Sequence, residues 1–169
     1  MSCKHQEQLP SCLALTGDDE KYMFEALKEA WRAFDADEVP VGAVVVHDRQ
    51  IVGRGRNQVE LLQDATAHAE MLAIGAAAQA VGGWRLEGCT LYSTLEPCCM
   101  CVGALFLSRV SRVVWGAPDV RLGANGSFVD LFSLSHPTHK LTVVSRVLHD
   151  WCAKPLQLFF QKRRSENLA

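Results

Sequence analysis

Short, valine-rich runs alternate with helix-forming segments along most of this chain, and that order restricts the folds open to it. Runs of about four to eight β-branched and aromatic residues are typical of strands, and longer stretches rich in alanine, leucine and methionine are typical of helices. Such an alternation indicates a sheet flanked by helices. We therefore predict an α/β protein of three layers, α/β/α, in which a mixed five-stranded sheet carries helices on both faces. The predicted strands are residues 41–46, 51–57, 89–94, 112–117 and 141–148, and the predicted helices are residues 18–34, 67–80, 97–108 and 153–164.

Three details of this assignment concern the connections. Asp18 or Asp19 is predicted to cap the first helix, because aspartate accepts hydrogen bonds from first-turn N–H groups. Residues 61–66, LLQDAT, are predicted to form a loop. The crossovers between residues 67 and 116 are predicted to be parallel and right-handed, as such connections almost always are.

The length of 169 residues indicates one domain, which we place at residues 18–169. Residues 1–17 lack periodicity and are predicted to form a flexible N-terminal extension. This segment has no long apolar core typical of a signal peptide, and no run approaches the ~18 apolar residues that cross a membrane. We therefore expect a cytoplasmic protein with no membrane partner.

The net charge of −2 argues against an extensive nucleic-acid surface, because such surfaces are usually basic. The C-terminal segment differs from the rest of the chain, since Lys162, Arg163 and Arg164 closely follow Phe159 and Phe160. A small basic and aromatic contact patch is therefore compatible with the composition.

Three cysteines lie within four positions in residues 94–101, TLEPCCMC. The chain has seven cysteines, an odd number without regular spacing, which favours reduced thiols or metal ligands over disulfides. On a helix that begins at Pro97, Cys98 and Cys101 share one face, because they are three positions apart. Cys99 lies about 100° further round the helix and is predicted to face the packed interior. A redox dithiol and plain core packing are the alternatives for Cys98 and Cys101.

The segment TAHAEML, at the start of the preceding helix, adds His68 and Glu70. Near the first turn both side chains can reach a point beyond the helix end. Two helix N-termini from successive crossovers would then meet at the carboxyl ends of strands, where sites form in open α/β sheets. One Zn²⁺ per chain, held by His68, Cys98 and Cys101, would keep a fourth position open, as catalytic zinc requires. Glu70 would then move protons without binding the metal.

The order His-Ala-Glu, then 26 residues, then Pro-Cys-x-x-Cys matches the signature of zinc deaminases. From about Tyr22 to Arg164, the sequence resembles the bacterial-type tRNA-specific adenosine deaminases of the cytidine deaminase-like superfamily. The resemblance is carried by the stretches EVPVGAVVV, GRGRN, DATAHAEMLAI, TLYSTLEPCCMC, VVWGAPD, GANGS and FFQKRR.

This resemblance implies a cytidine deaminase-like fold and a zinc-dependent hydrolytic deamination. The implied reaction converts adenosine to inosine at the wobble position of a tRNA anticodon. It implies zinc ligands at His68, Cys98 and Cys101, and a general acid and base at Glu70. The implied partners are the tRNA anticodon stem-loop and a second copy of the chain, in a homodimer.

The resemblance further implies five substrate-binding residues, which are Asn57, Ala69, Asp119, Phe159 and Arg163. Asn57 matches an asparagine at the flipped nucleotide, Ala69 a position whose backbone contacts the base, and Asp119 an aspartate near the nucleotide backbone. Phe159 and Arg163 match a terminal helix that touches the stem-loop. The alternatives are a hairpin-end residue for Asn57, a turn former for Asp119 and core packing for Phe159.

Two other functions are compatible with the same motifs. One is deamination of a free base or nucleotide, such as guanine, cytosine, deoxycytidylate or a riboflavin precursor, because zinc and Glu70 do not distinguish these substrates. The aromatic and basic C-terminal helix favours RNA over them. The other is a non-catalytic, zinc-containing RNA-binding subunit, against which Glu70 argues because such a subunit needs no proton carrier.

Overall fold

The computed structural model describes residues 16–134 and 136–166. Its elements, in chain order, are α1 (Asp18–Asp35), β1 (Gly42–His47), β2 (Gln50–Arg56), α2 (Val59–Leu62), α3 (Ala69–Val81), β3 (Thr90–Leu95), α4 (Cys99–Leu107), β4 (Arg112–Ala117), β5 (Thr142–Val144) and α5 (His149–Glu166). None of the helices in these two ranges has the length and apolar content that crossing a membrane requires. The predicted N-terminal extension, residues 1–17, lies outside the described residues except for its last two, and stays a prediction.

The sheet has five strands in the order β2-β1-β3-β4-β5. β1 runs antiparallel to β2 and to β3, whereas β3, β4 and β5 are parallel to one another. The predicted mixed five-stranded sheet is therefore confirmed. The parallel half places the carboxyl ends of β3 and β4 at one edge, where α4 and the long loop after β4 begin.

Helices cover both faces of the sheet, because successive strand residues point to opposite sides. On β1, Ala43 and Val45 pack in one cluster with alanines of α3 and Leu105 of α4. Val44 and Val46 pack in a second cluster with residues of α1 and with Cys152 of α5. The three-layer α/β/α arrangement is therefore confirmed, with α3 and α4 on one face and α1 and α5 on the other.

Two glycines of β2 allow α3 to lie very close to the sheet. A Cβ atom on Gly55 would stand 2.1 Å from the carbonyl oxygen of Ala69, and one on Gly53 would stand 2.3 Å from that of Ala73. Real Cβ atoms do not approach backbone atoms so closely, so only glycine permits this contact. The depth of α3, and with it the position of the residues at its N-terminus, therefore depends on β2.

The predicted start of the first helix and the predicted loop at 61–66 are both corrected. The N-cap of α1 is Gly17, and Asp18 and Asp19 lie in the first turn. There their carboxylates are favoured by the positive end of the helix dipole. A short helix, α2, occupies Val59–Leu62 and so overlaps the predicted loop.

The C-terminal elements also differ from the prediction. β5 covers only Thr142–Val144, because Arg146 and Leu148 adopt positive φ angles of 65° and 50° that end the strand. α5 begins at His149, before the predicted residue 153, and continues past Pro155. Its buried residues recur every three or four positions, so the helix is stabilised by packing of one face despite the internal proline; they are Cys152, Pro155 and Phe159.

Candidate active site

Two helix N-termini meet beside the carboxyl ends of the central strands. His68 is the N-cap of α3, and Cys98 is the N-cap of α4. α4 therefore begins at Cys99 and not at Pro97 as predicted, since Cys98 keeps an extended backbone with ψ of 173°. Neither N-cap side chain makes a capping hydrogen bond, which leaves the imidazole and the thiol available to each other.

The imidazole of His68 and the thiols of Cys98 and Cys101 converge on one point. All three distances among His68 Nδ1, Cys98 Sγ and Cys101 Sγ are 3.6 Å. A tetrahedral zinc ion with bonds of ~2.3 Å to sulfur and ~2.1 Å to nitrogen separates two sulfurs by ~3.8 Å and sulfur from nitrogen by ~3.6 Å. The donor set and its spacing therefore fit zinc with three protein ligands, as predicted.

The protonation of these groups follows from their mutual contacts. The hydrogen bond between the Cys98 and Cys101 thiols is the main reason that the pKa of Cys98 falls to about 4, and contact with His68 lowers it further. The hydrogen bond with Cys98 in turn raises the pKa of His68 and, together with burial, that of Cys101. Since thiolates are the form that binds a metal, loading the site requires Cys101 to release its proton.

Cys99 does not face the interior as predicted, because its side chain is exposed at the start of α4. Cys99 is the first residue of α4, and its side chain is directed outward, whereas the thiols of Cys98 and Cys101 face each other on the inner side of the helix. The separation of Cys99 from the other two thiols is confirmed, but its predicted packing role is wrong.

Glu70 lies in the first turn of α3 and is almost completely buried. Desolvation raises the pKa of its carboxyl group to about 7. A group that titrates near neutral pH both accepts and donates protons readily, which suits a general acid and base.

A cavity of about 210 Å³ opens above this group of residues. Its walls bring together five of the residues predicted from the sequence, namely Asn57, His68, Glu70, Cys98 and Asp119. Cys101 lies behind the wall and is fully buried. Residues from four separate segments, between 57 and 119, therefore share one concave site.

Ala69 and Asp119 reach this cavity in different ways. The Ala69 side chain is fully buried in the core against the sheet, so only its backbone is available to a substrate. Asp119 Oδ1 accepts the N–H groups of Arg121 at 3.0 Å and Leu122 at 3.3 Å. Asp119 thus forms a turn, as the alternative interpretation held, and also lines the cavity.

Phe159 and Arg163 lie outside that cavity, in an adjoining one of about 550 Å³. Phe159 is 4% exposed and packs edge-on against Phe34, which agrees with the core-packing alternative. Arg163 donates to Asp37 Oδ2 at 2.8 Å. The two cavities share the walls formed by Glu38, Val39 and Glu60, so a continuous surface leads from the candidate active site to α5.

Two buried carboxylates beside the cavity were missed by the sequence-based prediction. Glu38, 2% exposed, accepts hydrogen bonds from Asn57 Nδ2 and from two backbone N–H groups of α2. Glu96, 1% exposed, accepts the N–H groups of Asp119 and Asn125, and both the N–H and the hydroxyl of Ser127. The sequence feature that could have indicated them is an acidic residue within an apolar stretch, directly before Val-Pro for Glu38 and directly before Pro-Cys for Glu96.

Known proteins share this geometry and its sequence motifs. Residues 16–117 match the family described as the cytidine and deoxycytidylate deaminase zinc-binding region, a span that contains all three candidate ligands. The tRNA-specific adenosine deaminase of Bacillus subtilis is 48% identical over 89% of this chain and 94% of its own length. The tRNA(adenine(34)) deaminase of the Arabidopsis thaliana chloroplast is 49% identical over 86% of this chain, which spans only 12% of that longer protein.

Among solved structures, a tRNA:A34 deaminase of A-to-I editing at the wobble position of transfer RNA superimposes with a TM-score of 0.77. It is 42% identical, and the match covers 80% of this chain and 99% of that one. The shared zinc-binding region identifies the cofactor as zinc. From its fold, its His/Cys/Cys group and these relatives, the chain belongs to the tRNA-specific adenosine deaminases, within the zinc-dependent cytidine and deoxycytidylate deaminase family.

Proposed function

We propose that this protein hydrolyses adenosine to inosine at the wobble position of a tRNA anticodon. The observation that carries the proposal is a single cavity that combines a His/Cys/Cys group of zinc geometry, the buried acid Glu70 and two predicted nucleoside contacts. The overall reaction consumes adenosine and water and yields inosine and ammonia.

The residues of the cavity have separate roles in this reaction. Zinc bound by His68, Cys98 and Cys101 supplies Lewis-acid activation of the attacking water. Glu70 takes one proton from that water and passes it to N1 of the purine ring. It then takes the second proton, from the hydroxyl formed on C6, and passes it to the departing amino group, which leaves as ammonia. Because Glu70 starts and ends in the same protonation state, the cycle needs no further acid or base.

The free-energy cost of placing the base in the cavity is lowest when the substrate is a single-stranded loop. A base in a loop is already accessible, so turning it into a pocket costs less than extracting it from a duplex. Three residues of the 119–127 loop, Asp119, Arg121 and Leu122, line the cavity, and Glu96 fixes this loop through its bonds to Asp119, Asn125 and Ser127. This arrangement suits one extruded nucleoside with the rest of the RNA outside.

The remainder of the stem-loop would follow the surface from the cavity to α5. Lys162, Arg163 and Arg164 provide positive charge there, and Arg164 has no ion-pair partner among residues 16–134 and 136–166. The guanidinium of Arg121, at the cavity wall, lies over the Phe160 ring at 5.6 Å. Cationic and aromatic side chains are the usual contacts for single-stranded RNA.

The homodimer is proposed from the outer surface of α4. A helix that is apolar on all sides is normally buried, yet Cys99 is exposed and Leu107 is 73% exposed. A Cβ atom on Gly103, which lies between them on the helix, would meet no atom of the described residues within 4 Å. A second copy packed there would bury this surface. Light scattering should give twice the chain mass, and Leu107→Glu should give monomer.

The expected cytoplasmic location stays a prediction, because one relative carries a chloroplastic designation. It is supported by the nature of the proposed substrate, which is an RNA of the translation machinery.

The reaction is tested with purified protein, one zinc per chain, and four substrates in parallel. They are an anticodon stem-loop with adenosine at the wobble position, the same stem-loop with that adenosine moved one position along the loop, free adenosine, and free guanine. Inosine, detected by mass spectrometry, is expected with the first substrate only, together with one ammonia per inosine. Ammonia from guanine alone would instead support a free-base deaminase, and none from any substrate would support a non-catalytic subunit.

A further inference from the structure

Glu38 stands at the wall between the two cavities and does not contact the zinc ligands. Its Oε1 accepts the N–H of Leu61 at 2.7 Å, and its Oε2 accepts the N–H of Glu60 at 3.3 Å. Both N–H groups belong to the first turn of α2, where no helical partner exists for them and where the N-cap, Gln58, makes no side-chain bond. Glu38 therefore caps this short helix from a distant part of the chain.

The same carboxylate determines how Asn57 is oriented. Glu38 Oε2 lies 3.1 Å from Asn57 Nδ2, and both side chains are buried. A carboxylate can only accept hydrogen bonds, so Asn57 must turn its NH₂ group toward Glu38 and cannot present its oxygen there. A rotation of the amide by 180° would place Oδ1 against Oε2, and is disfavoured by repulsion between two acceptors.

This constraint leaves a defined set of groups for a ligand. Asn57 is 7% exposed and lines the smaller cavity. Its Oδ1 and its second Nδ2 hydrogen have no hydrogen-bond partner within residues 16–134 and 136–166. Buried amide groups are normally satisfied, so an unpaired amide edge in a cavity wall indicates a polar ligand.

We propose that Glu38 is a positioning residue for the deamination: it holds the Asn57 amide in one orientation and ties the rim helix α2 to the cavity. The amide then meets the polar edge of the extruded nucleoside with a fixed arrangement of donor and acceptor. This inference rests on the proposed function, because it requires a nucleoside in this cavity.

The primary test replaces Glu38 with glutamine in the full-length, zinc-loaded protein. Glutamine keeps the size but replaces one acceptor oxygen with an NH₂ group. That group either opposes the N–H donors of α2 or forces Asn57 to turn its oxygen inward. Because small misplacements of a positioning group cost up to about a hundredfold in rate, kcat/KM for the stem-loop should fall roughly 10–100-fold. Zinc content should remain one per chain.

A double-mutant cycle shows whether Glu38 acts through Asn57. If it does, Glu38→Gln should lower kcat/KM far less in the Asn57→Ala background than in the parent, because the amide that it would misorient is already absent. Multiplication of the two single losses would overturn the inference, and so would parental activity in Glu38→Gln.

Glu29→Gln is the matched control. Glu29 is also 2% exposed and pairs with Arg32 and Arg54, but it lies on α1, on the sheet face opposite α3, and does not line the cavity. It should lose thermal stability and keep the parental kcat/KM. Should Glu38→Gln fail to fold, Glu38→Asp retains an acceptor-only group that is one methylene too short for Asn57, and the same cycle is run with it. A parent protein that makes no inosine rejects the proposed function itself, whereas an active parent with an equally active Glu38→Gln rejects only this inference.

Discussion

Glu70 combines burial with a place in the cavity wall, and this combination defines the first prediction. Glu70→Ala should retain one zinc per chain and bind the stem-loop as the parent does, because the residue is not part of the proposed ligand group. Its turnover should fall by roughly 10²–10⁴, the usual contribution of a general acid and base. Its melting temperature should not fall, since a buried carboxylate is removed. Single-turnover kinetics and metal analysis provide the measurement, and turnover within tenfold of the parent would exclude Glu70 as the proton carrier.

The three neighbouring cysteines should respond differently to the same substitution. Cys98→Ala and Cys101→Ala each remove an atom that lies 3.6 Å from both other ligand atoms, so zinc content and activity should be lost. Cys99→Ala should keep one zinc per chain, because its side chain is exposed on α4 and is not part of the converging group of His68, Cys98 and Cys101. Metal analysis of the three purified variants decides the point. Zinc loss in Cys99→Ala equal to that in Cys98→Ala would contradict the ligand assignment.

At the scale of elements, basic side chains of α5 form ion pairs with Asp37, which follows the C-terminal end of α1. Asp37 binds Lys162 Nζ at 3.1 Å and Arg163 at 2.8 Å, and these cations hold the pKa of Asp37 below its usual range. An RNA phosphate must therefore compete with Asp37. Asp37→Asn should strengthen stem-loop binding, whereas Arg163→Ala/Arg164→Ala should weaken it.

Salt titration tests this pair of effects. The double arginine variant should lower the slope of log affinity against log salt by about 1.4, because each phosphate of a single strand that a cation neutralises adds ~0.7 to that slope. Arg85→Ala removes a cation at the opposite end of the sheet and should leave affinity and slope unchanged. Parental affinity and slope in the double variant, at every salt concentration, would show that the tail only packs against the core.

The first turn of α1 is attached to the sheet by a partly buried ion pair. Arg112 binds both carboxylate oxygens of Asp19, at 2.7 and 2.6 Å, and Tyr92 donates to Oδ1 at 2.9 Å. The hydrogen bond from Arg112 is the main reason that the pKa of Asp19 is lowered. Asp19→Asn should therefore cost roughly 1 kcal/mol at neutral pH, or about 2–4 °C in melting temperature.

The pH dependence has a definite sign. Because folding lowers the pKa of Asp19, its contribution is complete above the unfolded value of about 3.9 and is lost as the pH falls through the folded value. The difference in melting temperature between parent and Asp19→Asn should shrink below about pH 4. Asp18→Asn is the control, since Asp18 is exposed and lies 3.5 Å from Arg49, and it should change little. A constant difference from pH 7 to pH 3 would contradict the assignment.

Local spacing predicted the elements and residues that depend on neighbours in sequence. Cys98 and Cys101 are three positions apart, and each ligand motif follows a strand, so their convergence could be derived. Glu38 could not, because its partners Asn57, Glu60 and Leu61 lie 19 to 23 positions away. For the same reason α2 was missed, since a four-residue helix owes its existence to that distant cap. Phe159 is a case in which the sequence indicated a function that the structure explains by packing. Its place on the aromatic and basic C-terminal helix favoured an RNA contact, but its burial is explained by packing against Phe34.

For the whole molecule, the three proposed zinc ligands connect the first crossover helix to the second. Residues 68, 98 and 101 lie on α3 and α4 or at their N-caps, and these two helices otherwise touch each other little. Removal of zinc should therefore lower the melting temperature by about 5–10 °C, assuming free metal near a hundredfold above its dissociation constant. Scanning calorimetry before and after chelation measures this, and return of the parental value with added zinc is the control. An unchanged melting temperature would show that the site does not contribute to stability.

The close contact between β2 and α3 has a consequence for mutational tolerance. A methyl group on Gly55 has no space beside the carbonyl of Ala69, so any substitution must displace the start of α3. His68 and Glu70 flank Ala69 and would move with it. In a saturation screen scored by inosine formation, Gly55 should therefore be as intolerant as Glu70, although no atom of Gly55 lines the cavity. Such a screen would thus group Gly55, which has a structural role, with catalytic residues such as Glu70. Only measurements of metal content and protein stability would distinguish the two roles.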